Sequence, residues 1–599
     1  MEGQLQQMRS RLTIAGILCS GLFLSVGCGK KPPNAVLAAH PLPPIPAISS
    51  AEPGVFGGRL TIAIVNPPRT FNPVLVNDDA IVRLLFAPLV NLDGVTQEPR
   101  PALAESWTNS PDGKTFTFKL RRGVYWSDGQ PFKADDVVFT WNDVIYNLNF
   151  NRSMGDLFRI KGRPFQVRRM DDYTVQVTTP EVFAPFMEFF GAQVMILPRH
   201  VLAKPVKNNA FNGAYALDSK PEEVIGCGPY KLKKVEPGRG VLLVRNPEYW
   251  AADKQGHRLP YFDEVMIVPA GSPERAAGVV GVGMAEACDD VRPEFVEPLQ
   301  NLPPTTNGAL QVLDLGSSNN REFLWFNQNT GSNILGKPLV APAKLKWFRN
   351  KKFHQAVSCA IDRDRIAREA YQGRAKPIYA FAAQDNSKWN NPNVPRYAGD
   401  LEKARALLTE IGIQDRNNDG FAEDGEGNVL EITFNSNTGN PAREKATQII
   451  CENLKQIGIK FQNVPVDFPS LTKLVGETFE YEAAMMGLGG GAIDPASEAN
   501  VLSSSEDLHQ WFPMQKKPST EWEARIDALM DAQMHTLDFA ERKKAFDEVQ
   551  AIMAEELPMI YTVSPSCYAA IRGKIGNLRP SSRTPFRVTW NIEELFFQK

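Results

Sequence analysis

One acidic loop in the middle of the chain has the residue types and the spacing of a calcium-binding loop. It spans residues 415–426 and has the sequence DRNNDGFAEDGE. Oxygen ligands at alternate positions, a glycine at the sharp turn and a final glutamate are what a calcium loop of the EF-hand type needs. The candidate ligands are Asp415, Asn417, Asp419, the backbone of Phe421, and Glu426. A strand pattern follows the loop where a helix is usual, so the sequence predicts either a structural calcium site or a simple solvated turn.

Other motif-like stretches each lack a residue that their chemistry requires. Residues 331–337 are close to a phosphate-binding loop, but Pro338 stands where a Ser or Thr must ligate magnesium. Residues 487–492 fit a dinucleotide-binding pattern, yet Asp494–Pro495 follows where a helix must begin. Ser470–Lys473 fits S-x-x-K without the partner motifs of that enzyme class. These failures, and the absence of H-E-x-x-H, C-x-x-C and G-x-S-x-G, favour a protein that is not an enzyme and requires no cofactor.

The N-terminal residues predict export and lipid attachment. Arg9 and Arg11 precede the apolar run Leu12–Val26, which is shorter than the roughly 20 residues that a membrane-spanning helix needs. The residues before Cys28 resemble a bacterial lipobox, although Ser25 stands where a large apolar residue is usual. A plain secretory signal that is cleaved elsewhere is the alternative.

The first part of the chain is therefore predicted to have two segments. Residues 1–27 are predicted to be a lipoprotein signal peptide, and Cys28 the residue that carries the lipid. Residues 28–56 are rich in proline and are predicted to form an extended tether rather than packed core. The protein is therefore expected in the bacterial cell envelope, on the periplasmic or extracytoplasmic side, anchored by lipid to a membrane.

Composition bounds the remaining body. The chain has 599 residues, 66 Lys and Arg against 68 Asp and Glu, and 43% hydrophobic residues. This predicts a large α/β body of several lobes, and the charge balance argues against nucleic-acid binding. Strand and helix patterns alternate, as in the strand at 57–65, the helix at Ala134–Tyr146, the hairpin Tyr230–Val244 and the helical pattern Thr520–Met553.

Several blocks resemble one protein family, the large solute-binding proteins of bacterial ABC importers in the oligopeptide, dipeptide and nickel group. The blocks occur in the order usual for that family between about residues 57 and 570. They are Gly57–Ile62, Phe71–Pro73, Pro101–Trp107, Phe116–Gly129, Ala134–Phe139, Gly226–Tyr230, Arg245–Trp250, Leu259–Glu264 and Phe353–Arg368.

The resemblance implies two hinged lobes with mixed sheets flanked by helices, and an extra α/β subdomain on the first lobe. The implied boundaries are as follows: lobe one, 57–97, 223–314 and 555–599; inserted subdomain, 98–222; lobe two, 315–554. A hinge of this kind closes around a ligand, and covalent chemistry is not needed.

The resemblance also implies where ligand is bound. The candidate residues are Thr70, Phe71, Asn72, Asn327, Asn329, Gly489, Gly490, Gly491 and Asp494. Peptide binders of the family often carry an Asp four residues before a Pro in this last loop, where it pairs with the peptide ammonium. This chain has Gly491 there, so either another acid supplies the charge or the ligand is not a conventional peptide.

The predicted function is a monomeric extracytoplasmic receptor that delivers a peptide-like solute to an ABC permease. The alternatives are a receptor of the same fold for a metal complex, sugar or opine, a receptor that serves a sensor, and, more remotely, a hydrolase.

Overall fold

The computed structural model describes residues 39–76, 80–303, 308–317, 319–382, 385–489, 494–583 and 586–598. The predicted signal peptide and Cys28 lie outside the described residues, as do Gly490 and Gly491. Residues from His40 onward form one compact unit. In the described ranges, no helix combines the length and the apolar character that a membrane crossing requires.

An eight-stranded mixed sheet forms the core of the first lobe. Seven strands lie in the order Tyr230–Glu236, Gly240–Arg245, Glu264–Pro269, Arg59–Ile64, Ala287–Val291, Val563–Arg572 and Leu310–Ser317, and Ala375–Pro377 pairs with one end of Val563–Arg572. The first two strands form the predicted hairpin. Four distant stretches of the chain thus build one sheet.

A five-stranded sheet forms the core of the second lobe. Its strands lie in the order Lys460–Val466, Glu431–Asn437, Ala483–Leu488, Arg321–Phe326 and Met559–Tyr561. All six residues of Arg321–Phe326 are buried, as expected for a strand covered on both faces. The predicted boundary at residue 555 assigns Met559–Tyr561 to the first lobe, whereas the structure pairs this strand into the second.

A four-stranded antiparallel sheet lies within residues 98–222, the predicted subdomain. Its order is Ala104–Asn109, Thr115–Leu120, Thr174–Thr178 and Gln166–Asp171. Aromatic rings cover it: Phe116 stacks on Phe186 at 3.7 Å, and Trp141 on Phe190 at 3.8 Å between ring centroids. Short two-stranded pairs complete the sheets: Ala47–Ile48 with Ala251–Ala252, Val90–Leu92 with Pro99–Pro101, Arg159–Ile160 with Arg163–Pro164, and Ile575–Gly576 with Phe596–Phe597.

Helices flank the sheets. The α-helices are Ala80–Leu85, Ala134–Phe139, Arg152–Leu157, Arg199–Lys207, Pro273–Gly281, Val296–Gln300, Pro342–Phe348, Lys351–Ala360, Arg363–Arg365, Leu401–Glu410, Pro441–Lys455, Phe468–Lys473, Ala499–Leu502, Glu521–Met534 and Phe539–Glu556. The π-helical turns are Thr140–Ile145, Met187–Gln193, Ile366–Ala370 and Leu474–Thr478. The 3₁₀ turns are Phe211–Gly213, Pro221–Glu223, Pro293–Phe295, Pro495–Glu498 and Ile592–Glu594.

The helical pattern Thr520–Met553 is two helices rather than one. The first ends at Met534, and the second begins at Phe539. Asp538 accepts a hydrogen bond from the Glu541 amide at 2.9 Å and so caps the second helix. The apolar periodicity continues through the break, which is why the sequence alone predicts no interruption.

Part of the predicted tether is packed against the body, which corrects the boundary at residue 56. The ring of His40 stacks on Tyr125 at 3.7 Å, and Ala47–Ile48 pairs as a short parallel strand with Ala251–Ala252. Proline lacks a backbone N–H, which limits sheet pairing, but the carbonyls of a proline-rich segment can accept hydrogen bonds from side chains. We call residues 40–49 the N-terminal strap.

Deleting the N-terminal strap is expected to lower the free energy of unfolding by about 2 kcal/mol. Arg258 donates to the His40 carbonyl at 2.5 Å, and buried Arg121 donates to the Ile45 carbonyl, so both guanidinium groups lose an acceptor. Urea unfolding of a variant beginning at residue 50 measures this. A variant beginning at His40 is the control and keeps full stability; equal stability of the two contradicts the role given to the strap.

The cysteines of the body are free thiols. Cys227, Cys288, Cys359, Cys451 and Cys567 form no disulfide, and all but Cys451 are buried. Burial raises the pKa of the Cys288 thiol to about 12. The thiols therefore act as small apolar side chains.

Candidate ligand-binding cleft

Two neighbouring crossings of the chain join the lobes. One leads from Leu310–Ser317 to Arg321–Phe326, and the other from Met559–Tyr561 to Val563–Arg572. A backbone hydrogen bond of 2.8 Å, donated by Thr562, links one crossing to the other. Paired extended crossings allow two rigid bodies to rotate about a few backbone dihedrals.

The lobes also touch far from these crossings in sequence, through the inserted subdomain. The Ala184 amide donates to the Met534 carbonyl at 2.8 Å, and His535 Nε2 lies 3.5 Å from Glu181 Oε2. These contacts join the subdomain to the helical hairpin of the second lobe. The cleft is therefore bounded by a hinge and by direct contacts between the lobes.

A cavity of about 950 Å³ lies in the first lobe and the inserted subdomain. This volume is in the range of small-ligand sites. Polar, charged and aromatic side chains on its walls include Arg83, Glu188, Gln193, Arg583 and Phe586. Arg83 lies over the ring of Phe586 at 5.7 Å from its centroid, so these two residues form one wall.

Charged groups of both lobes meet beside Glu188. In the second lobe Asp494 and Arg542 form an ion pair of 2.6 Å, and both are less than a tenth exposed. Glu188, from the subdomain, has no ion-pair or hydrogen-bond partner among the described residues. Burial, and then the charge of Asp494, raise the pKa of Glu188 to about 8 against the opposing effects of Arg542 and Lys388. This wall thus holds a carboxyl group that ionises readily only when positive charge approaches.

The N-terminal strap also lines the cavity. Ile45–Ser49 line it together with Glu593. Burial, and then the neighbouring charge of Glu594, raise the pKa of Glu593 to about 7. Glu594 itself accepts hydrogen bonds from Ser49 Oγ at 2.6 Å and from Asn591 at 2.9 Å. A hydrogen-bonded carboxylate therefore ties the strap to the cavity wall.

The structure places the predicted ligand-binding residues Thr70, Phe71 and Asn72 in contacts within the first lobe. Phe71 is fully buried, and Thr70 Oγ1 donates to the Tyr215 carbonyl at 2.9 Å. The Asn72 amide donates to the Phe211 carbonyl at 3.1 Å. These side chains anchor their loop to the subdomain, and their contact with ligand stays a prediction.

Asn327 and Asn329 are likewise committed to neighbouring backbone. Asn327 donates to the carbonyls of Phe479 and Tyr481, each at 2.9 Å, and accepts from the Asn329 amide at 3.0 Å. Asn329 donates to the Pro513 carbonyl at 3.1 Å. Both side chains hold loops of the second lobe together, and a role in ligand binding stays a prediction for them too.

The glycine-rich loop is described at its two ends. Gly489 is exposed at the end of a central strand, and Asp494 begins the 3₁₀ turn Pro495–Glu498. Asp494 Oδ1 accepts from the Ala496 amide at 3.0 Å as well as from Arg542. The negative charge of Asp494 is therefore already balanced within the second lobe.

In the acidic loop at residues 415–426, the first carboxylate, Asp415, is hydrogen-bonded to the backbone of the loop. Asp415 Oδ2 accepts a hydrogen bond from the Gly420 amide at 2.9 Å. Glu426, the predicted last ligand, instead lies 2.5 Å from Lys346 Nζ on the surface. Within the described ranges, no three His, Cys, Asp or Glu side chains form a cluster that could hold a metal. The calcium site, with Glu426 as its last ligand, stays a prediction.

Sequence reasoning missed Glu188. It is the one acid in the run Phe183–Phe190, between aromatic residues that pack in the subdomain core. A carboxylate in an apolar run is costly to bury without a partner. That composition was the available signal, but the charges that act on Glu188 are 200 or more residues away in sequence.

Three comparisons with known proteins agree with this architecture. A relative in Deinococcus radiodurans, named probable ABC transporter-binding protein, is 25% identical over 86% of this chain and 88% of its own length. The oligopeptide-binding protein AppA of Bacillus subtilis is 25% identical over 98% of both chains. The structure of the periplasmic binding protein MelB of Agrobacterium fabrum, in complex with stachyose, matches with a TM-score of 0.71 and 21% identity, over 93% of this chain and 88% of that one.

The family assignment rests on a match longer than half the chain. The family described as "Bacterial extracellular solute-binding proteins, family 5 Middle" matches residues 98–509. The match includes the inserted subdomain and most of the second lobe. The fold, the hinge and this match lead to one conclusion: the chain belongs to the bacterial extracellular solute-binding proteins of family 5.

Proposed function

We propose that the protein captures a peptide between its lobes and delivers it to the permease of an ABC importer. The observation that carries the proposal is the cavity of about 950 Å³ in the first lobe and the inserted subdomain, whose wall residue Glu188 feels the charges of Asp494 and Arg542 in the second lobe. The Bacillus subtilis relative, an oligopeptide-binding protein, supports a peptide as the ligand. Capture requires only a shift of the open–closed equilibrium, so we propose that the protein catalyses no reaction.

A neutral sugar is the second candidate ligand. Asp494 is paired with Arg542, and Gly491 stands where the family's peptide binders often carry an acid. The Agrobacterium protein with the same fold holds stachyose. A site without a strong charge requirement suits such a ligand.

A peptide that binds is expected to stabilise the native protein. At a peptide concentration 100 times the Kd, the free energy of unfolding rises by about 2.7 kcal/mol, because ligand binds the folded state alone. Native mass spectrometry of protein purified from its host identifies the retained solute, and thermal unfolding with that solute measures the shift.

The control for this experiment is the same measurement with stachyose and with N-acetylated peptides. Retention and stabilisation by free peptides support the proposal. Retention of sugar, with no shift by any peptide, overturns it in favour of the second candidate. Chemical turnover of the bound solute contradicts the receptor function altogether.

We further propose that a lipid on Cys28 holds the protein, as a monomer, at the extracytoplasmic side of a membrane. The support is the lipobox-like sequence around Cys28. Replacing Cys28 by alanine is expected to release the protein from the membrane fraction and to abolish labelling with palmitate. Continued labelling of that variant contradicts the assignment.

A structural calcium in the loop 415–426 also remains a proposal, supported by the sequence pattern alone. The proposal is supported if calcium raises the melting temperature of the wild type but not that of Asp419→Ala. Identical melting in calcium and in a chelator contradicts it.

A further inference from the structure

The carboxyl group of Glu188 lies on the cavity wall that adjoins the second lobe. It is carried by the π-helical turn Met187–Gln193, a local distortion frequent at functional sites. The turn is fixed by its aromatic neighbours, since Phe186 and Phe190 stack at 4.7 Å between ring centroids. The side chain is therefore presented to the cavity by a rigid element.

Charged groups of the second lobe lie near Glu188, and Arg83 and Arg583 line the same cavity. The groups that face it from the second lobe are Asp494, Arg542 and Lys388. Arg542 is held by Asp494 at 2.6 Å and by Gln533 at 2.8 Å. The guanidinium of Arg542 therefore donates hydrogen bonds to residues of its own lobe.

Lys388 is also engaged elsewhere. Its Nζ lies 3.5 Å from Glu98 Oε1 and 5.6 Å from the centroid of the Phe539 ring. The two cations near Glu188 are thus already paired, Lys388 with Glu98 and Arg542 with Asp494. Among the described residues, Glu188 has no ion-pair partner.

We propose that Glu188 is the residue that recognises a positively charged group of the ligand, the terminal ammonium in the case of a peptide. This inference rests on the proposed function and names the acid that the glycine-rich loop lacks. An ammonium beside Glu188 supplies the missing counter-charge, and a carboxylate in a desolvated site is a strong partner for it. Asp494 contributes through its charge while it remains bound to Arg542.

The raised pKa of Glu188 gives the proposal a pH signature. Without ligand the group holds a proton below about pH 8; a bound cation favours the carboxylate, so binding releases that proton to solvent. Affinity for a cationic ligand therefore rises with pH, by about tenfold per unit well below the raised pKa. A neutral ligand shows no such rise.

The test is a titration of full-length protein by calorimetry between pH 6.0 and 7.0. The probes are a set of free tri- to pentapeptides, the same peptides N-acetylated, agmatine, and stachyose. We expect wild type to bind the free peptides about tenfold or more tightly than the acetylated set at pH 7.0, with the pH dependence given above. Glu188→Gln is expected to lose both the preference and the pH dependence, and the exposed Glu223→Gln to keep both.

Each outcome decides a different claim. Free and acetylated peptides that bind equally overturn the role of Glu188 and leave the proposed function standing. If agmatine binds in a manner that depends on Glu188 and no peptide binds, the proposed function is overturned, and the role of Glu188 in recognising a cation stands. Binding of stachyose alone overturns both. If Glu188 were only structural, Glu188→Gln would weaken both peptide sets equally, and Glu188→Asp would not partly restore the preference.

Discussion

Replacing Glu322 by alanine is expected to lower the free energy of unfolding by about 3–5 kcal/mol. Glu322 and Arg443 form a two-point ion pair inside the second lobe, with both N–O distances at 2.8 Å and both residues 7% exposed. Removing one partner leaves an uncompensated buried charge, which is the costly case. Urea unfolding followed by tryptophan fluorescence measures the loss.

The position of the pair supplies two further tests. An added Cβ at Gly487 would lie 2.6 Å from Glu322 Oε1 and 2.7 Å from Arg443 Nη2, so Gly487→Ala should also destabilise. The double variant Glu322→Ala/Arg443→Met should recover much of the loss, because no charge remains buried. A double variant that loses the sum of both single effects contradicts this explanation.

Replacing Glu523 by glutamine is expected to cost about 3 kcal/mol at pH 7. Its carboxylate is 2% exposed and accepts from His509, Trp511 and Ser519, among others. Burial opposes ionisation, but these hydrogen bonds outweigh it and lower the pKa of Glu523 to about 2. The difference from the ordinary value of 4.5 converts at about 1.4 kcal/mol per unit.

The pH dependence of this effect has a defined sign. A lowered pKa stabilises the folded protein above about pH 4.5, and this contribution is lost as the pH falls from 4.5 toward 2. The wild type and Glu523→Gln should therefore converge in stability within that window. The exposed Glu521→Gln on the same helix is the control. If the difference in free energy of unfolding between wild type and Glu523→Gln stays constant down to pH 2.5, it does not come from the ionised carboxylate of Glu523.

Sequence patterns predicted those features whose cause is local. The hairpin at 230–245 follows from a Pro-Gly turn between two apolar strands, and the structure has it as Tyr230–Glu236 and Gly240–Arg245. The family blocks led to the two-lobed fold that the comparisons confirm. Arg363, in the block Phe353–Arg368, has a structural role. Its guanidinium donates hydrogen bonds to the Ser358 and Tyr561 carbonyls inside the second lobe.

Features that depend on distant contacts were not predictable in this way. The N-terminal strap has the composition of a linker, and its packing depends on side chains such as Arg258, over 200 residues away. Asn72 and Asn327 lie in loop-like sequence, and only their tertiary partners reveal that they are buried. Glu188 was missed because the charges that shift its pKa belong to the other lobe.

We propose that solute is enclosed between the two lobes. It is tested most directly by a cross-lobe disulfide between Ala184→Cys and Met534→Cys, whose backbones already meet at 2.8 Å. The solute identified by mass spectrometry is added before or after oxidation, and its exchange is followed. We expect solute bound before oxidation to be trapped until reductant is added, and oxidised empty protein to bind none. Free exchange in the cross-linked protein would contradict enclosure between the lobes.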